Sequence, residues 1–190
     1  MKLPSFKIQM CFLLMQTLSF SLYSQELASC IQVLGKDSLK MYYNHAGLTN
    51  VACADFYRVC KLSSKGYFFD GYAKDFYVDG KVAAESFYTN NVLHGNYKAF
   101  YNNGKLKEEG KFNNGEKVGE WRYWYKNGKL YKIIIFDKND YFLKELYKPN
   151  GKLIVKDGNG NFVDKQLIPN FTLKGEIKNG KQDGNWYLIN

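Results

Sequence analysis

Few side chains in this sequence have the types and the spacing that catalysis requires. The two histidines, His45 and His94, share no motif and lie in loop-like segments. Asp164 and Glu145 have no acidic partner at a spacing that would make a catalytic pair of carboxylates, and Ser63-Ser64 has no base nearby. No nucleophile elbow, Walker A motif or dinucleotide-binding glycine motif is present. The sequence therefore predicts a protein that is not an enzyme.

One short segment has the composition of a metal loop. Residues 157–161 read Asp-Gly-Asn-Gly-Asn, but they lack the distant glutamate and the flanking helices of an EF-hand. Asp-Gly and Asn-Gly pairs are typical of tight turns. The four cysteines and two histidines are scattered, which argues against a multi-ligand metal site. We therefore expect a turn here, and no metal, other cofactor or small-molecule substrate.

Binding is the chemistry that the remaining residues suggest. Basic and aromatic side chains interleave in the middle of the chain, and the whole sequence has a formal charge of +9. The candidate interaction residues are Lys98, Phe100, Lys107, Arg122, Trp124 and Tyr131. Such a surface could contact a protein or an anionic lipid, whereas export, argued below, makes nucleic acid improbable. The alternative is a solvated face of a sheet, on which lysines discourage edge-to-edge association.

A repeat of 24 residues must position these side chains. Glycines at 71, 95 and 119 open three blocks, and each is followed by an aromatic pair, Phe76-Tyr77, Phe100-Tyr101 or Trp124-Tyr125. A less regular fourth copy contains Leu146-Tyr147, and residues 175–186 match residues 110–121. A fixed period in this range is typical of stacked supersecondary units.

Turn residues recur at the same interval. The chain has six Asn-Gly pairs, at 103, 114, 127, 150, 159 and 179, where its composition predicts between one and two. The repeat turns are Asp79 with Gly80, Asn103 with Gly104, Asn127 with Gly128, and Asn150 with Gly151. Such pairs predict two-residue type I′ turns, and therefore β-hairpins.

The turn at Asn103-Gly104 fixes a register and thereby two faces. It places Asn102 opposite Lys105, Tyr101 opposite Leu106, Ala99 opposite Glu108, and Tyr97 opposite Gly110, whose backbone the ring would cover. The apolar face then carries, in two successive hairpins, Tyr97, Tyr101, Leu106, Phe112, Trp121, Tyr123, Tyr125, Leu130, Ile134 and Phe136. The candidate interaction residues lie on the opposite face, with Phe100 as an apolar exception.

Together these features predict the fold class. We expect an all-β protein, an elongated single-layer antiparallel sheet of tandem β-hairpin repeats. Aromatics are 17% of the residues and prolines number 3, which suits a folded, sheet-rich chain. Residues 25–66 would form an N-terminal capping segment with a divergent hairpin, and residues 67–190 the repeat array. The sequence stops part-way along a predicted strand, where we expect an exposed or partner-covered edge.

The N-terminus predicts export. Residues 1–24 contain Lys2 and Lys7 ahead of an uncharged apolar stretch, as a signal peptide does. A transmembrane anchor is less favoured because the stretch is short and polar-interrupted. Leu27-Ala28-Ser29-Cys30 resembles a bacterial lipobox, so lipidation of Cys30 is a second possibility. The protein would then lie in the periplasm, the cell envelope or outside the cell.

Three cysteines would follow the signal peptide. Cys30, Cys53 and Cys60 form an odd set in an oxidising compartment, so at least one would stay a thiol, become lipidated or pair between chains. Burial as small apolar side chains is equally compatible with their positions.

Residues 119–130, which read G-x-W-x-x-W-Y-x-N-G-K-L, carry a family resemblance. They resemble the MORN-repeat variant of YwqK-type proteins, and residues 42–77 resemble secreted proteins of that type from Bacteroidota. The similarity covers about residues 38–156 and 171–188. It implies a protein-interaction scaffold, or an antitoxin or immunity protein that binds a toxin, or a module associated with anionic lipid in the envelope.

Overall fold

The computed structural model describes residues 29–63, 69–138, 140–165 and 170–189. In this part of the chain sixteen strands form one open antiparallel sheet. They are β1 (Ile31–Leu34), β2 (Ser38–Asn44), β3 (Gly47–Leu48), β4 (Phe56–Leu62), β5 (Phe69–Tyr77), β6 (Val82–Thr89), β7 (Val92–Leu93), β8 (Gly95–Phe100), β9 (Leu106–Asn113), β10 (Glu116–Trp124), β11 (Leu130–Asp137), β12 (Asp140–Tyr147), β13 (Leu153–Lys156), β14 (Asn159–Asp164), β15 (Thr172–Lys178) and β16 (Lys181–Ile189). The predicted fold class is confirmed.

Strands follow one another across the sheet in chain order, so each contacts its sequence neighbours. The short strands β3 and β7 lie off this path, on β2 and β6, and strands β1 and β16 form the two edges. Strand β4 of the predicted capping segment pairs directly with β5, Tyr57 opposite Phe76, so the segment and the array share one sheet. The proposed boundary at residue 66 and the predicted signal peptide lie outside the described residues. No helix in the described ranges is long and apolar enough to cross a membrane.

The hairpins use two kinds of turn, and the sequence predicts only one of them. Asn114-Gly115, Asp157-Gly158 and Asn179-Gly180 have positive φ at both residues, as type I′ turns do. At Asn103-Gly104 only the glycine has positive φ, +80°; Gly104 N donates to Tyr101 O, and Tyr101 N donates to Lys105 O. This is a type I turn followed by a glycine in the left-handed region.

The same three-residue geometry recurs in the other repeat turns. Gly80, Gly128 and Gly151 have φ of +85°, +90° and +94°, whereas Asp79, Asn127 and Asn150 do not have positive φ. The type I′ prediction is therefore wrong at Asp79-Gly80, Asn103-Gly104, Asn127-Gly128 and Asn150-Gly151, although all four pairs lie in turns. Asn159-Gly160 lies in strand β14 and not in a turn.

A β-bulge accompanies each of these turns and explains the difference. The pairing changes between Ala99 opposite Glu108 and Phe100 opposite Leu106, so Leu106 and Lys107 both face Phe100. Equivalent shifts occur at Phe76, Trp124 and Tyr147. The predicted pairing of Tyr101 with Leu106 is therefore wrong, since Leu106 pairs with Phe100; away from the bulge the predicted register holds, with Tyr97 opposite Gly110.

One face of the sheet, here called the packed face, holds three apolar clusters along its length. Their buried members are Met41, Cys60, Phe69, Ala73 and Tyr88; then Ala84, Tyr97, Ala99 and Trp121; then Leu143, Leu146, Val155 and Ile177. Trp121 is 0% exposed. It is Trp121, not Tyr97 as predicted, that closes over Gly110: a Cβ on this glycine would lie 2.3 Å from the indole.

Candidate interaction surfaces

The face opposite the packed face, here called the charged face, carries a row of alternating charges. Because paired residues share a face, cross-strand pairing places Lys74, Glu85, Lys98, Glu109 and Arg122 in one line across five strands. Lys74 Nζ lies 2.9 Å from Glu85, and Arg122 lies 3.8 Å from Glu109. Lys98 and Arg122, two of the basic residues identified in the sequence, therefore both lie opposite Glu109. The register counted from Asn103-Gly104 already implied the pairing of Lys98 with Glu109.

The six candidate residues do not form a single surface. Lys98 and Arg122 are exposed in the charged row. Lys107 is exposed too, but it lies outside that row: as the bulge residue of β9 it occupies the place that Tyr131 has in β11, and its Nζ lies 5.9 Å from the Tyr101 ring centroid. Phe100 and Trp124 are half-buried at equivalent strand ends. Tyr131 is wrongly assigned to the charged face: as the bulge residue of β11 it packs against the third apolar cluster, its ring 4.6 Å from that of the buried Tyr125.

Hydrogen bonds between successive turns form a ladder along one end of the hairpins. Asn103 Oδ1 accepts from Lys105 N within its own turn, while Asn103 Nδ2 donates to Lys126 O of the next turn at 2.9 Å. Lys105 Nζ donates to Asn127 O at 2.6 Å. The sequence Asn-Gly-Lys thus has two roles. The asparagine side-chain oxygen and the glycine shape the turn, whereas the asparagine amide nitrogen and the lysine ammonium group donate hydrogen bonds to the following turn.

The ladder repeats once more and is absent from the first turn. Asn127 Nδ2 donates to Pro149 O, and Lys129 Nζ donates to Asn150 O. At the first turn Asp79 offers no amide donor, and its carboxylate instead pairs with Lys81 of its own turn. The hydrogen bond from Lys81 lowers the pKa of Asp79.

Tyrosine hydroxyls link the repeats a second time. Tyr77 Oη donates to Phe100 O, Tyr101 Oη to Trp124 O and Tyr125 Oη to Tyr147 O, at 2.7 to 2.8 Å. The sequence analysis used these tyrosines as markers of the period and placed Tyr101 and Tyr125 on the apolar face, but it missed this role. The signal was their fixed place beside the turn, which brings each hydroxyl to the same point of the next unit.

A buried ion pair lies on the packed face. Arg58 makes a bidentate contact with Asp75, at 2.6 and 2.9 Å, and its guanidinium lies 5.3 Å from the Tyr88 ring centroid. Burial opposes the charge of Arg58, but the bonds to Asp75 outweigh it and raise the pKa of the arginine. Because both charges are committed to each other, this pair holds β4 against β5 and leaves no charge for a ligand.

A second cation is enclosed by rings in the next cluster. Lys117 Nζ lies 3.7 Å from the Trp121 ring centroid and bonds Glu108 Oε2 at 3.0 Å and Tyr123 Oη at 3.1 Å. A cation over an aromatic face is stabilised by the ring quadrupole. Lys117 therefore closes the packed face over Trp121.

The residues considered for chemistry are far apart in the sheet. His45 is exposed in a turn, and His94 is exposed between strands β7 and β8. Glu145 accepts a hydrogen bond from Tyr147 Oη, and residues 157–158 form a turn as expected. The side chains of Asp164 and Ser64 lie outside the described part. Within the described residues no three His, Cys, Asp or Glu side chains gather as metal ligands.

The three cysteines occupy different environments. Cys53 is exposed, Cys30 is half-buried and Cys60 is buried, and no disulfide joins them in the described structure. Burial raises the pKa of the Cys60 thiol to about 11.

Strand β16 carries a run of exposed apolar side chains at one edge of the sheet. Tyr187, Leu188 and Ile189 are 53%, 52% and 41% exposed. In the described structure β16 pairs with β15 on one side only. The sheet therefore presents unpaired backbone groups beside apolar side chains at this edge.

A family model described as MORN repeat variant matches residues 93–114 and 117–138. Two adjacent segments of the chain are therefore similar to MORN-variant repeats. The two matches begin 24 residues apart, which is the period seen in the sequence, and each contains one bulged hairpin, β8 with β9 or β10 with β11. No curated protein matches the chain significantly.

Proposed function

We propose that this protein is an exported, non-catalytic repeat scaffold that binds a protein partner. The observation that supports it is the open edge at β16, where Tyr187, Leu188 and Ile189 are exposed in succession. An unpaired strand with exposed apolar side chains is a template for pairing with another chain. Soluble proteins usually protect such edges with charge, proline or a covering segment.

The charged face favours a protein partner over an anionic membrane. Lys98 lies between Glu85 and Glu109, so the row alternates in sign. Alternating charge gives little net attraction to an anionic surface, which is recognised by clusters of lysine and arginine. It can still select a partner of complementary pattern.

A pull-down from the native host tests the proposal. The protein as its host exports it serves as bait, beside an edge variant that carries Tyr187→Lys and Leu188→Lys. A matched control carries Tyr72→Lys and Val78→Lys, which are 75% and 62% exposed away from this edge. We expect the control to retain the bound protein and the edge variant to lose it. Equal capture by both variants would exclude the edge as the binding surface.

Two narrower alternatives have tests of their own. If the partner is a toxin, co-expression with a toxin-like neighbouring reading frame should give a complex and relieve toxicity. If the protein instead associates with anionic lipid, sedimentation with phosphatidylglycerol vesicles should exceed that with phosphatidylcholine vesicles and weaken with salt.

Export and lipidation are tested by cell fractionation. The proposal requires the protein outside the cytoplasm, so cytoplasmic retention would contradict it. Labelled fatty acid that is incorporated by the wild type and not by Cys30→Ser would show a lipoprotein.

A further inference from the structure

Strand β16 corresponds to strand β10 of the repeat array. In both hairpins a type I′ Asn-Gly turn precedes the strand, at Asn114-Gly115 and Asn179-Gly180. Four residues after each turn glycine, Gly119 and Gly184 have φ of +66° and +60°. Trp121 covers Gly110 and Trp186 covers Gly175, so that a Cβ added at either glycine would lie only 2.3 or 2.4 Å from the indole. The two strands thus present the same backbone and the same tryptophan at an offset of 65 residues.

The two strands differ in what lies beside them. Strand β10 has β9 on one side and β11 on the other, whereas β16 has only β15 in the described structure. On β11, Ile134 is opposite Trp121 and Phe136 is opposite Gly119. The Phe136 ring lies 6.3 Å from Trp121, edge to face. Strand β11 therefore supplies the cover that makes Trp121 fully buried.

Trp186 lacks that cover. It is only half-buried, and the residues that follow it are exposed where their counterparts in β10 pair with β11. Trp121 Nε1 donates to Lys111 O at 3.1 Å, but Trp186 Nε1 is buried without an acceptor in the described structure. The indole of β16 thus lies in an incomplete copy of the Trp121 environment.

We infer that β16 accepts an extended segment of a protein partner that pairs with it antiparallel and has the chemistry of β11. The segment would place a large aliphatic residue opposite Trp186 and an aromatic residue two positions on, opposite Gly184. Backbone hydrogen bonds would supply affinity, and the two side-chain positions would supply selectivity. This inference rests on the proposed scaffold function and specifies how that scaffold binds.

The probe is a fluorescein-labelled peptide of residues 129–138 of this chain, Lys-Leu-Tyr-Lys-Ile-Ile-Ile-Phe-Asp-Lys. We expect saturable binding to the full protein by fluorescence anisotropy, together with a change in tryptophan emission that Trp186→Phe removes. A peptide with N-methyl groups on alternate residues cannot donate along one edge, and we expect one of the two alternating methylation patterns to weaken binding about tenfold or more. Equal binding of the unmethylated, both methylated and scrambled peptides would overturn the inference.

Proline substitution locates the pairing edge on the protein. Backbone N–H groups alternate in direction along a strand, so one of two neighbouring residues donates outward. Of Tyr187→Pro and Leu188→Pro, we expect one to remain folded and lose peptide binding, and the other to lose stability because it removes a bond to β15. If neither proline variant folds, binding of the methylated peptides to the unmodified protein still tests the inference.

Further measurements distinguish a second copy of this chain from another protein as the partner, and the strand-pairing mode from the scaffold function. Light scattering measures self-association with and without excess peptide. Self-association that the peptide does not reverse would show that a second copy binds elsewhere, and it would count against β16 as the acceptor. A host partner that the folded, peptide-deficient proline variant still captures would leave the scaffold function standing and refute the strand-pairing mode. Absence of both partner capture and peptide binding would refute both.

Discussion

Trp121 is the side chain on which the middle of the sheet depends most. It is fully buried, lies against Gly110 with no room for a Cβ, and donates a hydrogen bond to Lys111 O. Lys117 lies over its outer surface. One residue thus joins β9, β10 and β11 by apolar contact, a hydrogen bond and a cation–π contact.

Replacing Trp121 with alanine should therefore lower the free energy of unfolding by about 3 to 5 kcal/mol, because a large buried ring is removed from a close-packed site. Chemical denaturation measures the change. Lys107→Ala, at an exposed bulge position, should stay within about 0.5 kcal/mol of the wild type. Similar losses for the two variants would mean that the faces are reversed.

Asparagine in the repeat turns should be distinguishable from aspartate by stability. Asn127→Asp keeps the oxygen that accepts from Lys129 N but removes the donor to Pro149 O. The new carboxylate can also draw Lys129 Nζ away from Asn150 O, as Asp79 pairs with Lys81. We expect a loss of about 0.5 to 1.5 kcal/mol.

Asn150→Asp is the matched control for this turn. Asn150 Oδ1 also accepts from its own lysine, Lys152, but no bond from its Nδ2 to another turn is present in the described structure. Its effect on the thermal midpoint should be clearly smaller. If Asn150→Asp costs as much as Asn127→Asp, the turn-to-turn bonds contribute nothing measurable.

At the scale of elements, each hairpin is attached to the next by a tyrosine beside its turn. The three hydroxyl bonds repeat at equivalent places, and each donates to the carbonyl of a residue at the end of a strand in the next unit. Neighbouring units are therefore coupled by side chains as well as by the sheet, which is how repeat proteins acquire cooperativity between units.

Tyr125→Phe should lose about 1 kcal/mol, since it removes one hydrogen bond and leaves the Tyr147 carbonyl without that donor while the ring stays in place. Tyr72→Phe is the control, because this side chain is 75% exposed and its ring contact with Phe87 does not involve the hydroxyl. Urea denaturation of both variants checks the prediction. An unchanged midpoint for Tyr125→Phe would show that the hydroxyl link is energetically neutral.

At the scale of the whole molecule, buried tyrosines should make stability sensitive to alkaline pH. Burial raises the pKa of Tyr43, Tyr97 and Tyr123 above the ordinary value of 10.0. The folded state thus favours the neutral phenol, and the unfolded state loses its protons first. Stability from these groups is complete below pH 10.0 and falls as the pH rises further.

The free energy of unfolding should therefore decrease above pH 10.0, and a fraction of the tyrosinate absorbance should develop only as the sheet unfolds. Absorbance and circular dichroism recorded on the same alkaline titration test this. Ionisation of all tyrosines in one step, with the sheet signal intact, would contradict it.

The period of 24 residues, the all-β class and the hairpin register were determined by the sequence alone. Glycines, Asn-Gly pairs and alternating side chains are local signals, and local chemistry decides where a chain can turn and which residues alternate. Tyr97 opposite Gly110 followed from counting outward from one turn. Counting outward from the same turn also predicts the central pair of the charged row, Lys98 opposite Glu109.

Only the tertiary structure decided the turn type, the place of Tyr131 and the ring that covers Gly110. A bulge inserts one residue and reverses the faces beyond it, and an Asn-Gly pair fits both a two-residue and a three-residue loop. The links from Asn127 and Tyr125 to the following unit depend on where that unit lies, which no single hairpin specifies. The same reason keeps Trp121 buried and Trp186 half-buried: the two tryptophans occupy equivalent places in their strands, but in the described structure only β10 has a strand on each side.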